Sequence, residues 1–153
     1  MLIAYDGTKT SEQALREAAA LLGGRPALVV VVTKPGLAFE LIELPASSIG
    51  LPPAPLDVRT ALETERALYE GAQRAAQRAA ALARSLGLEA DALVIAEDPD
   101  VTVAETLLRI ARERDARAIT VGAHPHGGLL GSTTRAVVRD ARCPVIVVRS
   151  DVS

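Results

Sequence analysis

Apolar positions along the chain follow two periods, and the switches between them mark the elements. Residues 2–5 are a short apolar run closed by Asp6-Gly7. Ala14, Leu15, Ala18, Leu21 and Leu22 then fall on one stripe of a helical period. Thr10 and Gln13 stand at the spacing of a capping box before that stripe, and Gly23-Gly24 stops it. Residues 27–32 are unbroken and largely β-branched, the pattern of a strand covered on both faces. Thr60 and Glu63 predict the start of a long helix running to about Ser85. Its inward stripe reads Leu68, Ala72, Ala75, Ala79, Leu82 and Leu86, with Gly87 at the C′ position. Residues 90–96 are a third strand. Thr102 with Glu105 opens a third helix that turns Val103, Leu107, Ile110 and Ala111 inward. Residues 118–122 are a fourth strand, a helix is expected from about Ser132 to Ala141, and residues 145–148 are a fifth strand preceded by Cys143-Pro144.

Strands alternating with helices predict an α/β fold, a parallel sheet with helices on both faces and right-handed crossovers. The alternation is broken once. Pro35, Pro45, Pro52, Pro53 and Pro55 exclude a long helix or a central strand from residues 34–57. A loop of that length is either functional or a disordered surface insert, and Phe39, Leu41 and Ile42 offer apolar anchors within it.

Composition narrows the function classes. With 153 residues, the chain suits one domain covering 1–153, and 49% apolar residues are enough for a core. A net charge of −2 and 2% aromatics speak against a nucleic-acid or anionic-membrane surface. No apolar run is long enough to span a bilayer, and the first residues lack the basic and hydrophobic regions of a signal peptide; the expectation is a cytoplasmic protein. Cys143 is the single cysteine, so neither an internal disulfide nor a multi-cysteine zinc site is available.

Ligands of such folds bind beyond the carboxyl ends of the strands. The most informative of those ends is Gly122-Ala-His-Pro-His-Gly-Gly-Leu-Leu-Gly-Ser-Thr133. Its glycines permit positive φ and close approach. Gly131, Ser132 and Thr133 lie where a helix N-terminus offers free N–H groups to an anion, and the hydroxyls of Ser132, Thr133 and Thr134 add donors. The same residues also fit a plain turn with Ser132 as the cap. His124 and His126 could ligate a metal or contact phosphate, although loop histidines without a third ligand are ordinarily solvated. Glu97, Asp98 and Asp100 read as strand-end and capping residues rather than metal ligands. Cys143 reads as structural. There is no P-loop, no GxGxxG fingerprint and no Ser/His/Asp order. Asp6 is the one candidate base.

In order and spacing, Ala4-Tyr5-Asp6-Gly7-Thr8 with Ser11, Val121-Gly122, Gly131-Ser132-Thr133 and Cys143-Pro144-Val145-Ile146-Val147-Val148 resemble the universal stress protein family over essentially the whole chain. The resemblance implies a five-stranded parallel sheet of order 3-2-1-4-5, like that of the adenine-nucleotide alpha hydrolases. It also implies a homodimer paired through Val145, Ile146, Val147 and Val148, and so apolar an edge does need cover. One branch of the family binds ATP, with Mg²⁺ on the phosphates, through G-x2-G-x9-G-S/T. Carried over, its nucleotide-binding positions are Asp6, Val32, Gly122, Gly131, Ser132 and Thr133. Two departures stand out. Pro125 replaces the second glycine and has no N–H to donate. Gly122 and Gly131 lie nine positions apart where the pattern has thirteen. Gly127 and Gly128 are the available substitutes. The function expected is therefore adenine-nucleotide binding by a stress-response or regulatory module, with at most slow hydrolysis. The alternative is a dimeric interaction module that binds a protein partner and no nucleotide. An ATP-dependent activating enzyme is disfavoured, because Asp6-Gly7-Thr8 stands where its Ser-Gly-Gly loop would be.

Overall fold

Alternation along each strand decides which helix covers it. The computed structural model describes residues 1–36, 58–123 and 130–149. In chain order these form β1 (Leu2–Ala4), α1 (Lys9–Leu22), β2 (Pro26–Thr33), α2 (Val58–Ser85), β3 (Glu89–Ala96), α3 (Val103–Glu113), β4 (Ile119–Ala123), α4 (Ser132–Asp140) and β5 (Val145–Arg149). The five strands make one sheet of order β3-β2-β1-β4-β5, parallel throughout. Leu2 of β1 pairs with Leu28 of β2 on one side and with Ile119 of β4 on the other.

Each face of the sheet has its own core. Ile3 and Val29 point to one face, where they meet Leu15, Ala18 and Ala19 of α1 and Ala79, Ala80 and Ala83 of α2. Leu2, Val30, Ile119 and Val121 point to the other, against Leu107, Ile110 and Ala111 of α3 and Val137 of α4. Burying a leucine such as Leu15 or Leu107 is worth about 1.5–3 kcal/mol. The alanines of α2 contribute less each, but they let a long helix lie close to the sheet.

The helix faces and starts differ from the sequence expectation in detail. On α2 the deeply buried residues are Ala61, Ala76, Ala79, Ala80 and Ala83; of the expected stripe Ala79 is buried and Leu82 packs on the core, while Leu68 and Leu86 are exposed. The sheet selects the smaller side of the helix, and close approach outweighs the larger leucine side chains. On α1, Ala19 is buried and Leu21 is 64% exposed. Helix α1 begins earlier than a Thr10 cap would allow: Thr8 is the N-cap and its hydroxyl accepts from the Ser11 N–H at 3.2 Å. Gly7 at φ +81° turns the chain there, so Thr10 is already inside the helix. Helix α2 begins at Val58, which puts Thr60 within its first turn and leaves Glu63 to pair with Arg59. The capping box of Thr102 and Glu105 on α3 is present as expected. Most of the proline-rich stretch, residues 37–57, lies outside the described residues.

Candidate functional site

Strands β1 and β4 are neighbours, yet the chain leaves them in opposite directions. From β1 it passes to β2 and β3; from β4 it passes to β5. Helix α1 after β1 packs on one face of the sheet and α4 after β4 on the other. The carboxyl ends of β1 and β4 therefore part at a topological switch point, where such folds open a crevice.

A cleft of about 340 Å³ lies there. One wall is apolar, built from Val30 and Val32 of β2, Val103 and Leu107 of α3, and Val121 of β4. Polar side chains and glycines complete the lining: Asp6, Ser11, Gly122, Gly131, Ser132 and Thr133. All six positions carried over from the nucleotide-binding pattern that the structure describes thus line one cleft. Gly127 and Gly128, with His124, Pro125 and His126, lie outside the described residues.

The acidic corner is held by a local turn. Asp6 Oδ1 accepts from the Thr8 N–H at 3.0 Å and from the Thr8 hydroxyl at 2.6 Å. The Ser11 hydroxyl donates back to the Thr8 carbonyl at 2.9 Å. This Asx turn fixes the Asp6 carboxylate at the mouth of the cleft. Tyr5 follows β1 immediately, and burial, helped by the Glu12 carboxylate, pushes its phenol above its ordinary range.

The anion-facing corner is the start of α4. Its N-cap is Gly131, at φ −59° and ψ 161°, and no side chain among the described residues caps the helix. Ser132 is the first helical residue, not the cap. The first N–H groups of α4 thus have no intrahelical acceptor and stand at the rim with the positive end of the helix dipole. Thr134 is not an extra donor for a ligand, because its hydroxyl donates to the Gly122 carbonyl at 3.1 Å. Neither Gly122 nor Gly131 has a positive φ. Gly122 is instead required by packing: a Cβ there would stand 2.9 Å from Thr10 Cγ2. A Cβ on Gly131 would meet nothing within 4 Å.

Sequence reasoning assigned Val103 and Leu107 to the core and missed that they also wall the cleft. Their place on the inward stripe of α3, just after a capped N-terminus, was the available signal. Glu97 does not cap α3. Its Oε2 accepts from the Thr106 hydroxyl at 2.6 Å and pairs with Arg109 at 2.7 Å, tying the end of β3 to α3. Those two bonds, Thr106 first, hold its carboxyl below the ordinary range. Asp98 Oδ1 instead accepts from the Asp100 N–H. Among the described residues no three His, Cys, Asp or Glu side chains group as a metal site. Cys143 is free and half-buried against the α3–α4 core. Two further cavities, of about 340 and 500 Å³, open at the amino ends of the strands, away from the switch point.

Residues 1–149 match the model of the universal stress protein family. Among solved structures, the chain is similar to hypothetical protein MJ0577, with 21% identity, a TM-score of 0.71, and 99% of this chain and 96% of that one covered. It is similar to the universal stress protein from Archaeoglobus fulgidus in complex with dAMP: 24% identity, TM-score 0.59, coverage 96% and 94%. A universal stress protein family protein from Arabidopsis thaliana with AMP bound matches at 12% identity and TM-score 0.60, over 99% and 91% of the two chains. At these identities the likeness establishes the fold. No helix among the described residues is long and apolar enough to cross a membrane.

Proposed function

The chain belongs to the universal stress protein family, and on that premise we propose that its cleft binds an adenine nucleotide and that the protein acts as a nucleotide-responsive regulatory module. The observation that carries this reading is the convergence of an apolar wall and a helix start with a glycine N-cap on one crevice. The base lies against Val30, Val32, Val103 and Leu107, with the end of β2 offering backbone groups to its edge. The phosphate end meets the N–H groups and hydroxyls of Ser132 and Thr133. Relatives of the same fold with AMP or dAMP bound support the assignment. ATP falls within this reading. A Mg²⁺ ion on its phosphates would meet one carboxylate of the lining, Asp6, and take the rest of its shell from phosphate and water.

Calorimetric titration with AMP tests the proposal. One site per chain is expected, and Ser132→Ala should loosen it by about 1 kcal/mol or more, the scale of a charge-assisted hydrogen bond. Absence of heat at millimolar AMP and ATP would reject it and leave the interaction-module reading.

We further propose that the protein pairs through β5. Among the described residues that strand bonds to β4 on one side only, and Val145, Ile146 and Val147 along it are only half-buried. An unpaired edge this apolar favours a second copy. Sedimentation should give twice 16.0 kDa; a monomer at micromolar concentration would reject the pairing.

A further inference from the structure

At the amino ends of the strands lies a cavity of about 500 Å³, larger than the 340 Å³ cleft at the switch point and within the size range of small-molecule sites. The sheet register orders its lining by charge. Asp91 of β3 pairs with Leu28 of β2, Leu28 with Leu2 of β1, and Leu2 with Ile119 of β4. Partners in a parallel register share a face, so one row across the sheet runs from a carboxylate over two leucines toward β4. Glu89, two residues before Asp91, lies on the same face. At the far end the connection from α3 to β4 brings Arg114 and Arg117 to the lining. Three strand spacings, about 14 Å, separate β3 from β4. Each side also holds one charge of the other sign: Arg25, whose carbonyl accepts from the Glu89 N–H, and Asp115, next to Arg114. The β3 side is left net negative and the β4 side net positive. Between them the Met1 ammonium is bonded to the Pro26 carbonyl at 2.7 Å. Elsewhere exposed opposite charges close on one another, as Arg16 and Glu12 do at 2.8 Å. Here, among the described residues, none of the six side chains is ion-paired.

We propose that this cavity is a ligand site separate from the switch-point cleft, and that it takes a small zwitterion whose ammonium and carboxylate are held apart by an apolar body, as in an ω-amino acid or a dipeptide of apolar residues. The ammonium meets Asp91 and Glu89. The body lies on Leu28 and Leu2. The carboxylate accepts from the guanidinium of Arg114 or Arg117, a planar donor matched to it. A plain anion would leave the two β3 carboxylates unanswered, and a plain cation the two arginines. The site stands whether or not the other end of the sheet binds a nucleotide.

The test is an amide chemical-shift titration of the full chain with ε-aminocaproate and leucyl-leucine, and with caproate and hexylamine as the single-charge controls. The zwitterions should shift Leu2, Leu28, Asp91 and Ala118 and leave Ser132 unmoved. The tighter of the two should bind at least tenfold tighter than either control, and which one it is assigns the site to ω-amino acids or to peptides. The double variant Glu89→Gln/Asp91→Asn should cut the preference over caproate at least threefold. Arg114→Gln/Arg117→Gln should do the same to the preference over hexylamine. All four side chains are exposed, so the core is undisturbed. The proposal is overturned if neither zwitterion outdoes both controls tenfold, if the shifts fall elsewhere, or if neither double variant changes the preference.

Discussion

Gly122 of β4 and Thr10 of α1 touch so closely that no side chain fits between them. A Cβ on Gly122 would stand 2.9 Å from Thr10 Cγ2 and 3.1 Å from the Thr10 carbonyl carbon and oxygen. On its other side the Gly122 carbonyl accepts from Thr134 at 3.1 Å. One residue thereby holds the first turns of α1 and α4, which flank the mouth of the cleft.

Gly122→Ala must push α1 off β4. Overpacking of this kind costs about 1–3 kcal/mol. Gly131→Ala meets open space at an ordinary φ and should cost less than Gly122→Ala while weakening nucleotide binding. Urea unfolding of both variants checks the contrast. Equal losses would show that Gly122 is not the packing residue described.

Thr120 is the second residue of β4, 0% exposed, and its hydroxyl has no hydrogen-bond partner among the described residues. An unpaired buried hydroxyl destabilises, so Thr120→Val should raise stability by about 1 kcal/mol. In a domain of this size that is a Tm gain of about 2–4 °C. A lower Tm would mean that the hydroxyl does find a partner in solution.

Glu97 gives a pH signature. The Thr106 hydroxyl and then Arg109 hold its carboxyl below the ordinary range. A carboxylate depressed in the folded state adds stability above its unfolded pKa, about 4.3. That contribution fades as the pH falls through the lower folded value. The Tm gap between the wild type and Glu97→Gln should therefore be largest at neutral pH and shrink toward pH 3. A gap that does not change with pH would contradict this account.

Much of this was legible in the sequence, for physical reasons that can be named. β2 and β5 announce themselves because a strand buried or paired in a parallel sheet needs continuous β-branched residues. The Thr102–Glu105 cap was readable because both partners of the box are local. The cap of α1 was not, because Thr8 and Thr10 are both competent and the choice is made by the turn at Gly7. The buried face of α2 was read only in part, at Ala79 and Leu82, for a similar reason. Its alanines and leucines form adjacent stripes, and only the distance to the sheet decides between them. At the site, the family resemblance pointed to Asp6, Gly122 and Gly131, which line one cleft, although the Gly122–Gly131 spacing departs from the family pattern. The two roles of Gly122 and Gly131 were hidden, since one glycine answers to Thr10 across the fold and the other to open space.

The central claim is that a nucleotide sits at the β1–β4 switch point with its phosphate at the start of α4. The most direct test is an amide chemical-shift map of the labelled protein titrated with AMP. The account predicts the largest shifts at Gly122, Ser132 and Thr133 and along the wall at Val32 and Val103, with Glu89 and Arg117 at the amino ends of the strands unmoved. Shifts concentrated at those amino ends, or none at millimolar AMP, would contradict it.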